Sequence, residues 1–416
     1  MKTVQLPLSR DFQYIPSPIR RWPVVLGGFL LNMSLGTFYA VSAFLLPIEK
    51  EFGWSRAQTS LATTLGFVMI SFWFVIGGYL QDRRGPRLVA AIGTVLFSLG
   101  FFLAAKTHSL MMFYVAIGLC VGAGNGFAYV VPMAVGSKWF PDKRGLIVGL
   151  MVGGYGAGSG VFGPLASKLI AVIGWRETFR AFSIIFFLMM LLATCLVKNP
   201  PGGYQPPDGA PGSGKHPSPR NVDVPTSRMI RMPQFWTLWI GYCLGTTAGV
   251  MVISQLVPFV RASDHAPSVA SFAIIVGAIG NTAGRILSGW LSDHIGRLKT
   301  LCIVLLISAV AMPVLFFGRE HVVLLYLALG VVYYCYGTQL SVYASTSADF
   351  YGTRYLGLNY GILILAWGIA GVIGPMIASY VFVARGEYRW AFFAAGAISF
   401  AAFVLLFAAK PQRPSE

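Results

Sequence analysis

Runs of about 20 apolar residues recur along the whole chain, and they restrict its fold more than any other feature. A run of that length lets an α-helix cross the hydrocarbon core of a bilayer. Of the 416 residues, 56% are hydrophobic and only 11% are charged, a balance that soluble globular chains do not show. We count twelve such spans, which predicts an all-α membrane protein.

The predicted spans form two groups of six, separated by a polar segment. They cover residues 23–46, 57–80, 87–105, 109–133, 145–170 and 178–197, then 234–258, 268–291, 300–317, 321–345, 355–383 and 390–409. The segment between the groups is rich in Pro, Gly and Ser, which predicts a flexible cytoplasmic linker. We therefore expect an N-terminal six-helix bundle (1–197), a linker (198–231) and a C-terminal six-helix bundle (232–416).

Landmarks of the first group recur in the second at one constant spacing of 211 residues. The pairs are Gly78 and Gly289, Pro47 and Pro258, and Gly163 and Gly374. This regularity predicts that the two groups are copies of one bundle. A duplicated bundle places a substrate site between its halves near the middle of the membrane, and it transports by rocking the halves against each other.

The net charge of +17 raises the possibility of nucleic-acid binding, but the positions of the charges argue against it. With twelve spans, Lys and Arg fall mostly in the loops on one side, and the opposite loops hold about half as many. The positive-inside rule then places both termini in the cytoplasm. We predict a multi-pass protein of the cell (inner) membrane that acts as a monomer, has the lipid bilayer as its surroundings and binds no nucleic acid.

The sequence offers no chemistry for catalysis within the membrane. All 14 acidic residues and all five histidines lie in loops, at termini or at span ends, and the five cysteines are scattered through apolar spans. An enzyme would need a nucleophile, an acid–base pair or metal ligands at that depth. We therefore predict a protein that is not an enzyme and that has no cofactor and no metal site. A duplicated bundle also favours a carrier over a channel or a receptor.

Arg285 is the residue that points to a cargo. It lies inside the span 268–291, where an arginine costs roughly 3 kcal/mol on insertion scales, and Asn281 precedes it by one helical turn. Because no acidic residue is expected near it, the missing counter-ion is a carboxylate on the substrate, which matches a guanidinium through two hydrogen bonds. The alternative is that Arg285, about 9 Å from the end of its span, reaches the membrane surface.

Two loops resemble the signature of the major facilitator superfamily. Residues 78–87 and 289–297 are similar to its Gly-x-x-x-Asp-Arg-x-Gly-Arg-Arg motif between helices 2 and 3 and to the echo of that motif between helices 8 and 9. The resemblance implies that an inner gate is held closed by Asp82, Arg83, Asp293 and Arg297. Because exposed ion pairs are weak, each of these charges would contribute little to the stability of the closed gate. The alternative, a topology signal only, explains the basic residues but not the repeated Gly and Asp.

Within that superfamily the chain resembles monocarboxylate transporters and bacterial oxalate/formate exchangers. Residues 138–146, leading into the glycine-rich stretch 153–158, look like the entry to their helix 5. Residues 285–297 look like their helix 8, whose arginine binds the carboxylate. The resemblance implies a secondary active transporter of small monocarboxylates such as L-lactate or pyruvate.

Four tyrosines are candidates for the lining of the site. Tyr129, Tyr155 and Tyr336 lie at positions that resemble substrate-facing sites of the carboxylate transporters, and Tyr39 is a weaker candidate. Aromatic hydroxyls suit a small polar anion in an apolar cavity. In a chain with 18 tyrosines, packing or anchoring at the membrane surface is the alternative for each of them.

Two differences from those relatives bear on the cargo and on coupling. Where the exchangers have a second cation in helix 11, a lysine, this chain has Trp367, so a monoanion fits better than a dianion. Where animal monocarboxylate transporters have an aspartate before the helix 8 arginine, this chain has Asn281, so a proton on that aspartate cannot be assumed. We predict symport with protons that travel on or beside the carboxylate. An anion exchanger of the oxalate/formate type is the alternative.

Overall fold

The computed structural model describes residues 21–202, 204, 223–261 and 265–408, and every regular element in these ranges is helical. The first half contains α1 (Trp22–Leu35), a 3-10 segment (Gly36–Val41), α2 (Ser42–Phe52), α3 (Arg56–Arg84), α4 (Pro86–Ala105), α5 (Leu110–Phe113), a π-helical segment (Tyr114–Val121), α6 (Gly122–Trp139) and α7 (Arg144–Leu196). The second half contains α8 (Thr226–Met229), α9 (Pro233–Arg261), α10 (Pro267–Ile295), α11 (Arg297–Phe317), a 3-10 turn (Gly318–Glu320), α12 (Val322–Tyr351), α13 (Leu356–Leu363), α14 (Leu365–Arg385) and α15 (Tyr388–Ala408).

Helix α7 accounts for two of the predicted spans. Its 53 residues would extend about 80 Å as one helix, far more than the thickness of a bilayer. Gly174 interrupts it with φ 80° and ψ 164°, a conformation that glycine adopts without a steric penalty. When α1 and α2, α5 and α6, and α13 and α14 are each taken as one run, the described ranges contain eleven apolar helices of membrane length. Because α7 accounts for two spans, these helices provide twelve crossings, as the sequence predicts.

The helices pack as two bundles of six. In the first bundle α7 packs on α1 and α4, while α6 packs on α3 and α4. In the second bundle α9 packs on α14 and α15, α10 on α12, and α11 on α15. The bundles meet mainly where α7 lies along α10 and where α3 lies along α13 and α14. The predicted fold class, twelve transmembrane helices in two six-helix bundles, is confirmed.

Two helices extend beyond the predicted ends of their spans. Helix α3 continues to Arg84 and α10 to Ile295, and each ends at a glycine with positive φ, Gly85 (84°) or Gly296 (98°). The added turns bring the acidic and basic loop residues into the helices. They also place Arg285 ten residues, or about 15 Å, from the end of α10, rather than about 9 Å.

The predicted linker is ordered at both ends, so the expectation of a flexible segment is wrong there. Trp139 Nε1 donates to the Lys198 carbonyl at 2.6 Å, which ties the start of the linker to the first bundle. Near its end, Asn359 Nδ2 donates to the Val224 carbonyl at 3.0 Å, and Thr226 donates to Asn359 at 2.6 Å. Most of the stretch between them lies outside the described residues. The boundaries at 197 and 232 stay predictions.

Candidate substrate site and inner gate

Arg285 lies where the two bundles make one of their closest contacts. Helix α10 approaches α7 so tightly that a Cβ atom on Gly149 would lie 2.2 Å from the Arg285 carbonyl oxygen. The side chain of Arg285 is 0% exposed. The alternative in which it reaches the membrane surface is therefore wrong, because protein encloses the guanidinium completely.

The partners of the guanidinium are all uncharged. Nε donates to Asn281 Oδ1 at 2.8 Å, and Nη1 donates to the Tyr129 hydroxyl at 3.1 Å and to the Val152 carbonyl at 3.0 Å. Nη2 is buried and has no hydrogen-bond partner within the described part of the chain. A buried cation that has two free N–H groups and no counter-ion among the described residues is a high-energy arrangement that an anion would relieve.

Tyr155 forms the wall beside Arg285. The guanidinium carbon lies 5.3 Å from the centre of the Tyr155 ring, within the range of a cation–π contact. The Tyr155 hydroxyl accepts a hydrogen bond of 3.1 Å from Asn125 Nδ2, which also donates to the Leu35 carbonyl at 3.2 Å. Asn125 thereby joins α1, α6 and α7 and fixes the ring of Tyr155.

Tyr39 of the first bundle and Tyr336 of the second bundle complete the group of side chains around Arg285. Their hydroxyl oxygens are 3.4 Å apart, and the ring centres of Tyr39 and Tyr155 are 5.3 Å apart. Trp367 Nε1 donates to the Tyr336 hydroxyl at 2.7 Å. The structure thus brings all six predicted site residues together: Arg285, Asn281, Tyr129, Tyr155, Tyr39 and Tyr336.

Two of these aromatic side chains, those of Tyr39 and Trp367, lie at or near interruptions in their helices. Tyr39 lies in the 3-10 segment between α1 and α2, and Trp367 lies three residues after Ile364, where α13 gives way to α14. Breaks of this kind at membrane depth are found where helices line a binding site.

The residues predicted to form an inner gate lie at the end of the molecule that holds Arg83, Lys138, Arg144 and Arg297, which we call the basic end. Asp82 accepts hydrogen bonds from the backbone N–H groups of Gly357 (3.0 Å) and Leu358 (2.9 Å), at the start of α13. Asp293 accepts from the N–H groups of Gly145 and Leu146, both at 2.8 Å, at the start of α7. Each carboxylate therefore caps a helix of the opposite bundle, where the helix dipole favours negative charge.

Ion pairs add to these contacts between the bundles on one side. Arg297 contacts Asp293 at 2.6 Å and Asp349 at 2.7 Å, and Asp349 also pairs with Arg144 of the first bundle. Arg297 and Asp293 have side chains only 11% and 12% exposed, so the expectation of exposed, weak pairs is wrong for them. Sequence reasoning did not identify Arg144 or Asp349 as gate residues, because no spacing in the sequence relates them.

Arg83 does not take part in this arrangement. It is exposed and lies over the Tyr79 ring, with its guanidinium carbon 4.4 Å from the ring centre. In the part of the chain that the structure describes, no ion pair joins it to Asp82.

Comparison with known proteins identifies the family. The profile of the Major Facilitator Superfamily matches residues 25–266 and 251–416, which is nearly the whole chain. The chain belongs to the major facilitator superfamily. Its fold matches that of the human organic anion transporter MFSD10, with a TM-score of 0.71 at 16% identity over 94% of this chain and 100% of the other.

Relatives within the superfamily include carriers of organic anions. The chain is 29% identical to the oxalate:formate antiporter of Oxalobacter formigenes, over 92% of this chain and 90% of the relative. It is 26% identical to monocarboxylate transporter 13 of Bos taurus, over 90% and 86%. This superfamily member is therefore a multi-pass membrane transporter related to monocarboxylate transporters and to an oxalate:formate antiporter.

Proposed function

We propose that this transporter carries small monocarboxylates such as L-lactate or pyruvate, in symport with protons and by alternating access, with Arg285 binding the carboxylate. The observation that supports this most strongly is the free Nη2 of a fully buried guanidinium. A carboxylate at that position would gain a charge-assisted hydrogen bond and would compensate the only positive charge in the group. The Tyr129 hydroxyl and the Tyr155 ring would lie beside it.

The surroundings of Arg285 also bear on coupling. Among the described residues, the buried charged side chains are three arginines, and only Arg285 lies away from the bundle ends. Asn281 is in hydrogen-bond contact with Arg285, and no carboxylate of the described residues contacts the guanidinium, so none of them is placed there to carry the proton. We therefore assign the proton to the cargo carboxylate or its immediate surroundings, so that acid is carried as a net neutral unit.

Exchange of one anion for another is the second candidate. The similarity to the oxalate:formate antiporter of Oxalobacter formigenes favours it. Proton symport predicts uptake without an internal anion, whereas exchange requires one.

The orientation of the carrier belongs to the same proposal. The basic end gathers Lys138, Lys143 and Arg144 with Arg83 and Arg297, and the positive-inside rule assigns such an end to the cytoplasm. Both termini then face the cytoplasm, the membrane is the cell (inner) membrane, and one chain works as a monomer in the bilayer.

Proteoliposomes separate the two modes of coupling. Purified protein is reconstituted without internal anion, and uptake of labelled L-lactate is followed after an inward proton gradient is imposed. Symport predicts accumulation that a protonophore abolishes. Uptake that appears only after vesicles are loaded with formate or lactate would establish exchange instead, and no uptake of any monocarboxylate in either mode would refute the proposal as a whole.

A further inference from the structure

A groove lies on the outer side of the first bundle, between α4 and the part of α7 that follows Gly174. It has a volume of about 270 Å³ and a mostly apolar lining. Its walls are large side chains that are 39–61% exposed: Val95, Leu99, Phe102, Ile184, Phe187 and Leu188. Ser98 and Ser183, each 6% exposed, complete the lining. We call this cleft the α4–α7 groove.

The groove exists because two small side chains stand beside large ones. Phe97 and Phe182, which directly precede Ser98 and Ser183, are 0% exposed and pack inside the bundle. Both rings contact Phe186, at 5.8 Å and 5.1 Å between ring centres. The short serine side chains leave a depression over this packed aromatic layer. A leucine at either serine position would fill part of the space.

Hydrogen bonds hold α4 and α7 together at both ends of the groove. Toward the basic end, the hydroxyl oxygens of Thr94 and Thr194 are 3.3 Å apart. Toward the other end, Arg176 Nη1 donates to the carbonyls of Ala105 (3.3 Å) and Thr107 (2.9 Å). The distance between the two helices is therefore fixed on either side, and the groove is a constant feature of the bundle.

Ser98 brings an unused hydrogen-bonding group to this groove. A buried hydroxyl in a helix ordinarily bonds a carbonyl of the preceding turn, as Thr94 does to Ala90 (2.8 Å) and Ser183 to Arg180 (2.8 Å). The Ser98 hydroxyl is buried and has no partner among the described residues. Leaving such a group unpaired is unfavourable. Rotation about its χ1 bond would let it donate to a polar atom of a ligand in the groove.

Lys106 places a cation at one end of the same helix face. It follows Phe102 by one turn, its Nζ lies 4.7 Å from the centre of the Phe102 ring, and it is exposed. Within the described ranges no carboxylate pairs with it. Helix α4 starts at the basic end and its 20 residues extend about 30 Å, so Lys106 lies at the opposite membrane surface. A cation at that level, above an apolar groove, matches a phosphate above an acyl chain.

We infer that the α4–α7 groove binds one anionic phospholipid of the leaflet opposite the basic end. One acyl chain lies in the groove, the phosphate lies at Lys106, and the Ser98 hydroxyl donates to an ester oxygen. From Val95 to Phe102 the groove is about 10 Å long, about a third of the hydrocarbon core, which suits the upper part of one chain. A second copy of the protein matches this face less well. In a two-fold dimer each copy would bring its unpaired cation to the contact without a carboxylate to match it.

The first test compares lipids that differ only in the headgroup. Purified wild type in detergent receives phosphatidylglycerol or phosphatidylcholine with identical acyl chains, and native mass spectrometry counts the retained lipid while thermal unfolding is followed in parallel. We expect one retained phosphatidylglycerol, bound about fivefold more tightly than phosphatidylcholine, and a higher unfolding temperature with it. Inorganic phosphate at the same concentration should change neither, because the chain contact is missing.

The second test changes each part of the groove. Lys106→Gln removes the cation, and we expect phosphatidylglycerol binding to fall about fivefold, to the level of phosphatidylcholine. Ser98→Leu and Ser183→Leu fill the groove, and each should weaken the binding of both lipids about tenfold or more. The matched controls are Lys168→Gln, at an exposed cation of α7, and Ala401→Leu, at an exposed alanine of α15, and both should bind lipid as the wild type does.

The outcomes separate the lipid from other occupants. Loss of phosphatidylglycerol in Lys106→Gln and in whichever leucine variant folds, with both controls unchanged, supports the inference. Equal retention by all variants overturns it, and so does stabilisation by inorganic phosphate alone. A wild-type dimer that Ser98→Leu converts to a monomer would assign the groove to a second copy instead. Because Lys106→Gln alters only an exposed side chain, its result decides the role of the headgroup even if both leucine variants fail to fold.

Discussion

At the scale of residues, the proposed function depends mainly on the guanidinium of Arg285. Burial of Arg285 is compatible with stability only because three of its hydrogen bonds are satisfied by neutral groups: Asn281, Tyr129 and the Val152 carbonyl. These contacts orient the side chain but do not neutralise it. The two N–H groups of Nη2 have no partner among the described residues, and this supports the binding role that we propose for Arg285.

Replacement of Arg285 by lysine should therefore strongly impair transport although the positive charge is kept. An ammonium group lacks the planar fork that holds Asn281 and Tyr129 while it presents a further donor to the cargo. We expect Arg285→Lys to lower the initial rate of lactate uptake by about 100-fold and to remove the thermal stabilisation that L-lactate gives the purified wild type. Lys168→Gln, at an exposed cation of α7, is the control and should leave both unchanged. Wild-type uptake by Arg285→Lys would contradict the role assigned to the guanidinium.

The predictability of the site from sequence differs among its residues. Sequence predicts Arg285 and Asn281 as candidates because a charge in an apolar span is costly, and it predicts the tyrosines because their positions resemble those of relatives; the structure shows that these side chains lie together. At position 367 the sequence shows only that the lysine of the relatives is absent. The hydrogen bond from Trp367 to Tyr336 depends on a helix break that no residue pattern predicts. The Val152 carbonyl had no signal at all, since a backbone oxygen carries no side-chain identity.

At the scale of elements, glycines determine how closely the bundles approach. Helices α7 and α10 contact each other at Gly145 and Gly289 near the basic end and at Gly149 beside Arg285. The same holds for α3 and α13, where Gly78 faces Gly357. Small residues at such crossings allow helices to pack by backbone contact within a membrane.

Gly149→Ala should disturb this packing. The added methyl group would lie 2.2 Å from the Arg285 carbonyl, so α7 and α10 must separate. We expect lactate uptake to fall about tenfold or more because the closed form of the gate is destabilised and Arg285 moves. Gly330→Ala is the matched control, since its methyl group would meet the nearest atom at 3.6 Å, an ordinary contact, and it should stay within about twofold of the wild type. The measurement is the initial uptake rate at equal protein density in vesicles, and equal rates for the two variants would show that this crossing tolerates separation.

Element boundaries were predicted less well than element number. Apolar length gave twelve crossings, but it placed the ends of α3 and α10 four residues too early, because Asp82 and Asp293 remain helical while they cap the opposite bundle. Composition likewise predicted a flexible linker where Val224 and Thr226 are bound to Asn359. In both cases tertiary hydrogen bonds decide the local structure, and these contacts depend on residues far away in the sequence.

At the scale of the whole molecule, the structure has its basic end closed. The hydrogen bonds and ion pairs that join the bundles within the described residues lie either at the gate, around Asp82, Asp293 and Asp349, or at the level of Arg285 and Tyr39. If the bundles rock as proposed, the contacts of Asp82, Asp293 and Asp349 must break before cargo leaves toward the basic end. Each of these contacts joins two known residues, so a crosslink between one such pair can block the motion.

A crosslink across the gate should arrest transport reversibly. Arg144 and Asp349 form an ion pair between the bundles, so Arg144→Cys and Asp349→Cys together, in a chain whose five natural cysteines are replaced by serine, place two thiols within reach of a short bifunctional thiol reagent. Because alternating access requires these helices to part, we expect the crosslinked protein to lose more than about nine-tenths of its uptake and to regain it when the link is cleaved by a reductant. Each single-cysteine protein, treated identically, controls for the loss of the ion pair itself and should respond little to the reagent. If a fully crosslinked carrier still accumulated lactate, the bundles would not need to separate at the basic end, and transport would have to follow another route than the gate formed by Asp82, Asp293 and Arg297.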